Sequence, residues 1–214
     1  MPKKIDGKNA YQWRMDGLFN TSMERYDVAI NCFENLMKIE PENYRPWFNL
    51  GVIYNEMEKY DKAIECFEKG IDIYNAAAPE MRERPWDSSD IKIDEAFIYM
   101  GKSYDGLGNL QKKIEWLEKA IKIAPTNKRA WWLIGNTYFE MENYDKVIEY
   151  AEKAVKIDPQ YLYGLWTLGE AYYKLGDYQK AIEFIEKTLE VRSDIKPLIE
   201  LLEDAKKRSA NEQL

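Results

Sequence analysis

Apolar residues along this chain recur at steps of three and four through segments of about a dozen residues, the spacing of amphipathic helices rather than strands. In EMEKYDKA, MENYDKV and KLGDYQKA the apolar phase restarts, so the helices come in pairs, each member roughly 12 to 15 residues long. The pairs themselves recur. Trp13 and Trp47 lie 34 positions apart, and Phe97, Trp131 and Leu165 keep that step. Gly17, Gly51, Gly101, Gly135 and Gly169 each follow four residues later, and Tyr54, Tyr104, Tyr138 and Tyr172 three residues after that. Ala29, Ala63 and Ala181 come next, then Leu36, Gly70, Ala120, Ala154 and Thr188, and Pro41, Pro125 and Pro159 close three units. One interval departs: Gly51 to Gly101 is 50, an excess of 16. Small residues let two antiparallel helices approach closely, and proline ends the second. A two-helix unit cannot bury its apolar side alone, so neighbours must stack into a superhelix.

This pattern resembles the tetratricopeptide repeat family, whose signature is W-x-x-L-G-x-x-Y followed by A-x-x-x-F, an alanine and a proline. WFNLGVIY (47–54), WWLIGNTY (131–138) and LWTLGEAY (165–172) carry the resemblance. It covers five units, 10–43, 44–77, 94–127, 128–161 and 162–195, after an N-terminal extension (1–9) and with an insertion at 78–93. The resemblance implies an all-α fold, a right-handed superhelical solenoid of helix-turn-helix repeats. Unit one departs most, with Asp16 where Leu is usual and Asn20 where Tyr is usual, as suits a terminal repeat facing water. In 196–214, Leu198, Leu201, Leu202 and Ala205 stand at helical spacing and predict a capping helix, fraying beyond Lys207.

RAWWLIGNTY (129–138) sets Trp131 and Trp132 side by side. Neighbours on a helix point about 100° apart, so both cannot enter one core by the same route. Trp131 belongs to the packing signature. Should the first helix of each unit line a concave surface, Trp132 falls on its exposed stripe. That stripe holds Arg45 and Phe48 in unit two, and Arg129, Trp132, Asn136 and Phe139 in unit four. In unit five it holds Tyr163, Trp166, Glu170, Tyr173 and Lys174. An aromatic patch of this kind predicts a peptide-binding groove. Trp132 and Trp166 would hold apolar or proline side chains, and Asn136 would bond the peptide backbone through both amide groups. In the competing reading, Trp132 packs on Trp166 or lies under the chain's own tail. Members of the family that grip the C-terminal carboxylate of chaperones use Lys and Asn, then Asn, then Lys and Arg on three successive stripes. Units one to three offer Arg14, Leu18, Asn49, Glu95 and Tyr99 instead, and Glu95 would repel a carboxylate, so that ligand is not expected.

Within the insertion, Ala76, Ala77 and Ala78 predict that the preceding helix runs on toward Pro79. Arg84-Pro85 predicts an extended turn, with Ser88, Ser89 or Asp90 capping the next helix. Trp86 reads either as a partner contact or as a ring folded onto a helix.

Hydrophobic residues are 45% and charged residues 32% of the chain, too apolar for disorder and too interrupted by charge for a membrane span. The N-terminal stretch shows no secretory signal, so a cytoplasmic location is expected. Cys32 and Cys66, 34 apart on stacked helices, read as reduced, partly buried packing residues. The chain has no histidine, no glycine-rich phosphate loop and no CxxC pair, so no catalytic site, metal site or cofactor is expected. A net charge of −7 with no basic block longer than KKR argues against nucleic acid. The expected function is a non-enzymatic scaffold binding a protein or peptide partner, without a membrane. The alternative is a homo-oligomeric adaptor that self-associates through the aromatic stripe or the terminal helix.

Overall fold

The computed structural model of the protein describes residues 3–82 and 91–211. Apart from turns and one isolated antiparallel bridge, Ile5 to Lys8, the described residues form helices. They divide into two units, Met1–Trp116 and Leu117–Leu214. The first holds α1 (Ala10–Ser22), α2 (Tyr26–Ile39), α3 (Arg45–Glu56), α4 (Tyr60–Ala76), the short α5 (Pro79–Arg82) and α6 (Ile93–Gly106). The division falls within α7 (Leu110–Ile123). The second unit holds α8 (Lys128–Glu140), α9 (Tyr144–Ile157), α10 (Leu162–Leu175), α11 (Tyr178–Val191) and α12 (Lys196–Asn211). Helices α1 with α2, α3 with α4, α8 with α9, and α10 with α11 pack as hairpins.

Each hairpin closes on a glycine. A Cβ on Gly51 would stand 2.6 Å from the ring of Phe67, which is wholly buried, so only a hydrogen lets the ring lie against the α3 backbone. Gly17 meets Phe33 and Gly169 meets Ile185 in the same way. At Gly135 the partner is the small Ala151, and a Cβ would meet nothing nearer than a backbone oxygen at 3.4 Å.

The turn inside each hairpin repeats too. Glu24, Glu58, Gly108, Glu142 and Gly176 all have positive φ, between 56° and 83°. Two of the five are glycine; the glutamates hold a left-handed conformation that costs an L-residue about 1 kcal/mol. The next residue caps the second helix. Asn109, Asn143 and Asp177 accept the backbone N–H three residues on, whereas Arg25 and Lys59 make no such bond.

The core of the first unit gathers Trp13, Phe33, Leu36, Leu50 and Ile53 with Cys32 and Cys66. Both cysteines are free and buried, and burial pushes the Cys66 thiol up to about 12. Trp13 is sealed from outside by the N-terminal bridge, its indole N–H donating to the Ile5 carbonyl at 3.2 Å. Across the insertion, α3 and α6 are tied by a buried pair. The Asn55 amide donates to the Tyr99 carbonyl at 2.9 Å, and the Ser103 hydroxyl donates to the Asn55 amide oxygen at 2.8 Å. In the second unit, α12 lays Leu198 and Ala205 over a core that includes Leu168, Tyr172 and Ile185.

Two helix ends differ from expectation. α4 stops at Ala76, and Ala77 is extended. The Arg82 guanidinium donates to the carbonyls of Asn75 and Ala77, a basic cap that ends the helix before Pro79. α12 continues past Lys207 to Asn211, because Ser209 is buried and bonded to the Gln179 amide while Arg208 pairs with Asp204. Trp86, Arg84-Pro85 and the expected capping residues Ser88, Ser89 and Asp90 lie outside the described residues.

Substituting Gly51→Ala should destabilise the protein by about 1–3 kcal/mol through overpacking against Phe67, whereas Gly135→Ala should change stability by less than about 1 kcal/mol. Urea midpoints of the two variants measured side by side check this. Conversely, Glu142→Gly, which relieves the left-handed turn, and Lys59→Asn, which supplies the missing cap, should each stabilise by about 0.5–1 kcal/mol in thermal melts.

Candidate functional site

The adjacent tryptophans go to different neighbours. Trp131 turns to its own hairpin: its ring lies 5.9 Å from that of Tyr150 on α9, under the Lys153 ammonium, and its indole N–H donates to the Pro125 carbonyl at 2.8 Å. Trp132 turns to the next hairpin. Its indole N–H donates to the Thr167 hydroxyl on α10 at 3.0 Å. Its ring stands 5.0 Å from Tyr163 and meets Tyr161 edge-on at 6.4 Å. Trp132 remains half-buried, and Tyr163 is 51% exposed.

Between α8 and α10 these side chains line a surface cleft of about 290 Å³, with Trp132 and Asn136 on one wall and Tyr163, Trp166, Thr167 and Glu170 on the other. Asn136 lies one turn beyond Trp132, and Glu170 one turn beyond Trp166, so each wall carries a ring and then a polar group. The Asn136 amide donates one hydrogen bond to Glu140 at 3.2 Å in its own helix. Burial pushes the Tyr161 hydroxyl up to about 12, against a smaller opposing pull from Arg129. Beside it, Lys128 lies 5.2 Å over the Tyr161 ring and pairs with Asp158, whose carboxyl it holds below the usual range.

The remaining expected site residues are placed as follows. Phe48 is not on an exposed stripe; it is wholly buried, because Gly70 on α4 leaves a gap that the Phe48 ring fills. At the equivalent repeat positions, Trp132 stands for Phe48 and Ala154 for Gly70, and Trp132 bonds Thr167 on α10. Arg45 is half-buried, its guanidinium 5.3 Å from the ring of Tyr44. Phe139 packs edge-on against Tyr144 and does not line the cleft. Tyr173 is engaged by the capping helix: its hydroxyl donates to Asp204, and Arg208 lies 5.7 Å over its ring. That hydrogen bond, with Arg208, holds the Asp204 carboxyl below its ordinary value. Arg129 is exposed beside the cleft. Thr167 and Tyr161 were not foreseen; a hydroxyl at a buried position of a signature helix was the available sign of Thr167.

Among the described residues, no three His, Cys, Asp or Glu side chains stand close enough to hold a metal ion. No described helix is long and apolar enough to cross a membrane.

A family model described as "Tetratricopeptide repeat" matches residues 44–75, and one described as "Anaphase-promoting complex, cyclosome, subunit 3" matches 106–188. No curated protein matches the sequence. Among solved structures, the C-terminal part of a TPR repeat-containing protein from Cytophaga hutchinsonii is 22% identical with a TM-score of 0.76, over 94% of this chain and 72% of that one. MamA protein is 23% identical with a TM-score of 0.68, over 86% and 92%. YrrB, titled a TPR protein with an unusual peptide-binding site, is 14% identical with a TM-score of 0.66, over 92% and 93%.

Replacing Thr167 by Val leaves the Trp132 indole N–H without its acceptor and should cost about 1–2 kcal/mol, while Thr167→Ser should stay near wild type. Denaturation midpoints, together with the chemical shift of the Trp132 indole proton, report both outcomes.

Proposed function

The chain belongs to the tetratricopeptide repeat family, and from that premise we propose that it is a non-enzymatic interaction scaffold that takes an extended segment of a partner protein in the cleft between α8 and α10. One observation carries the reading: Trp132, Tyr163 and Trp166 line an open cleft with their ring orientations already fixed. Trp132 is pinned by Thr167, and Trp166 by the core beneath it. A peptide that docks there meets rings whose ordering cost is already met by the fold. Tryptophan and tyrosine held in this way are the residues that dominate interface energetics. Asn136, on the cleft wall, would supply through its side-chain amide the directional contact that a strand-like segment needs. YrrB, by its title, binds peptide through a related fold, which agrees with this use of the surface.

Self-association is a second reading, and a different surface favours it. Tyr11, Met15, Phe19 and Met23, at four-residue steps along α1, are all at least 40% exposed. The outward face of α12, by contrast, carries Lys196, Glu200, Glu203, Lys206 and Lys207. On α12 the one large apolar residue at a comparable exposure among the described residues is Ile199, so this reading places self-association on α1 and its C-terminal cap.

Affinity capture from the source cell, comparing wild type with the Trp132→Ala, Trp166→Ala double variant, tests the first reading. A protein held by wild type and lost by a variant of unchanged helicity is the expected result; equal retention would move the interface elsewhere. Sedimentation mass across a dilution series, with Phe19→Glu as the control, decides the second.

A further inference from the structure

Building on the reading that the cleft receives a partner's peptide segment, we propose that its anchor is a basic side chain, lysine or arginine, seated on the rings of Trp132, Tyr163 and Trp166 with its charge met by Glu170. The composition of the lining decides this. Of the six residues that line the cleft, Glu170 is the one with a charge. Among the described residues, nothing pairs with its carboxylate. An aliphatic or proline side chain pressed into the cleft would strip water from that carboxylate and give it no partner. An ammonium or guanidinium supplies the partner and at the same time finds ring faces, whose negative quadrupole attracts cations.

The geometry of the rings agrees. The indole N–H of Trp132 is already used on Thr167, so what the ring presents to a ligand is its face. Tyr163 stands 5.0 Å away and tilted by 33°, close enough that one cation can lie within about 6 Å of both rings. The same cluster already holds one cation in this manner, Lys128 over Tyr161. Other positive groups nearby leave Glu170 available. Lys128 is paired with Asp158 and Arg192 with Asp194, while Arg129 and Lys174 are exposed and do not line the cleft. A chain with a net charge of −7 also draws basic segments toward itself from a distance.

The test screens the full chain against a degenerate pool of synthetic dodecapeptides, sequences what binds, and titrates the selected peptides by tryptophan fluorescence. Wild type, Glu170→Gln, Glu170→Asp and Trp132→Ala are compared, with melting curves confirming that each is folded. Glu170 is half-exposed and makes no internal bond among the described residues, so its substitutions should leave the fold intact. We expect lysine or arginine to be enriched at one anchor position. Affinity should fall about tenfold in Glu170→Gln and with added salt, be largely kept in Glu170→Asp, and be lost in Trp132→Ala. Enrichment of proline or aliphatic residues, with affinity unchanged in Glu170→Gln, would overturn the basic anchor and leave the peptide-binding reading standing. Basic peptides that bind Trp132→Ala and Glu170→Gln as well as wild type would show only general attraction to an acidic chain and also overturn it. No selection of any peptide would overturn both readings.

Discussion

Close approach of two helix backbones within a hairpin is the constraint on which the rest of this structure depends. Where Phe67 lies over Gly51, Phe33 over Gly17 and Ile185 over Gly169, the ring or branched chain comes sixteen residues after the glycine. That separation spans one turn region and fixes how the two helices face each other. Once it is fixed, every other position in the unit has a determined role. The alanines Ala29, Ala63 and Ala181 are wholly buried in the second helices, and the residues at the tight turn must adopt a left-handed conformation. The hairpin is thus set by steric fit more than by helix propensity, which glycine lowers.

What joins one hairpin to the next is chemically different. In the first unit a buried amide and hydroxyl, Asn55 and Ser103, bridge α3 and α6. In the second an indole and a hydroxyl, Trp132 and Thr167, bridge α8 and α10. These directional bonds add to the apolar cores that also run between hairpins, where Leu36 meets Leu50 and Ile53 and where Ala151 meets Leu168, and they fix the register at one donor and one acceptor. The two joints differ in what they leave open: Asn55 and Ser103 are buried, whereas the Trp132–Thr167 bond lies on the wall of the cleft.

The fold was legible because its signals are periodic. Glycines, alanines and aromatic residues at a fixed step specify helix boundaries and pairings without any knowledge of contacts, and the helices lie where that step put them. The site was legible only in part. Periodicity assigns a face to a position, so Trp132, Asn136, Tyr163 and Trp166 were found together. It does not say whether the face is filled. Phe48 shares its repeat position with Trp132, yet a glycine in place of Ala154 gives its ring a pocket to enter. Tyr173 shares its position with Phe139, yet a helix that occurs once in the sequence covers it. Thr167 and Tyr161 act through contacts between repeats, and a pattern that repeats within units carries no record of those.

The tie between α3 and α6 has a consequence for the 16-residue excess that separates them. Asn55 and Ser103 close that joint directly, so the stacking of α6 on α3 has a tie of its own besides the chain that connects them. Extra length added there would enter the free energy chiefly as the entropy of closing a loop, which grows only with the logarithm of its length. Doubling the loop would cost about 0.6 kcal/mol. Length there is therefore cheap to change, while composition is not free throughout: Arg82, which caps α4, and Ile93, which opens α6 from a buried position, are held by the structure on either side.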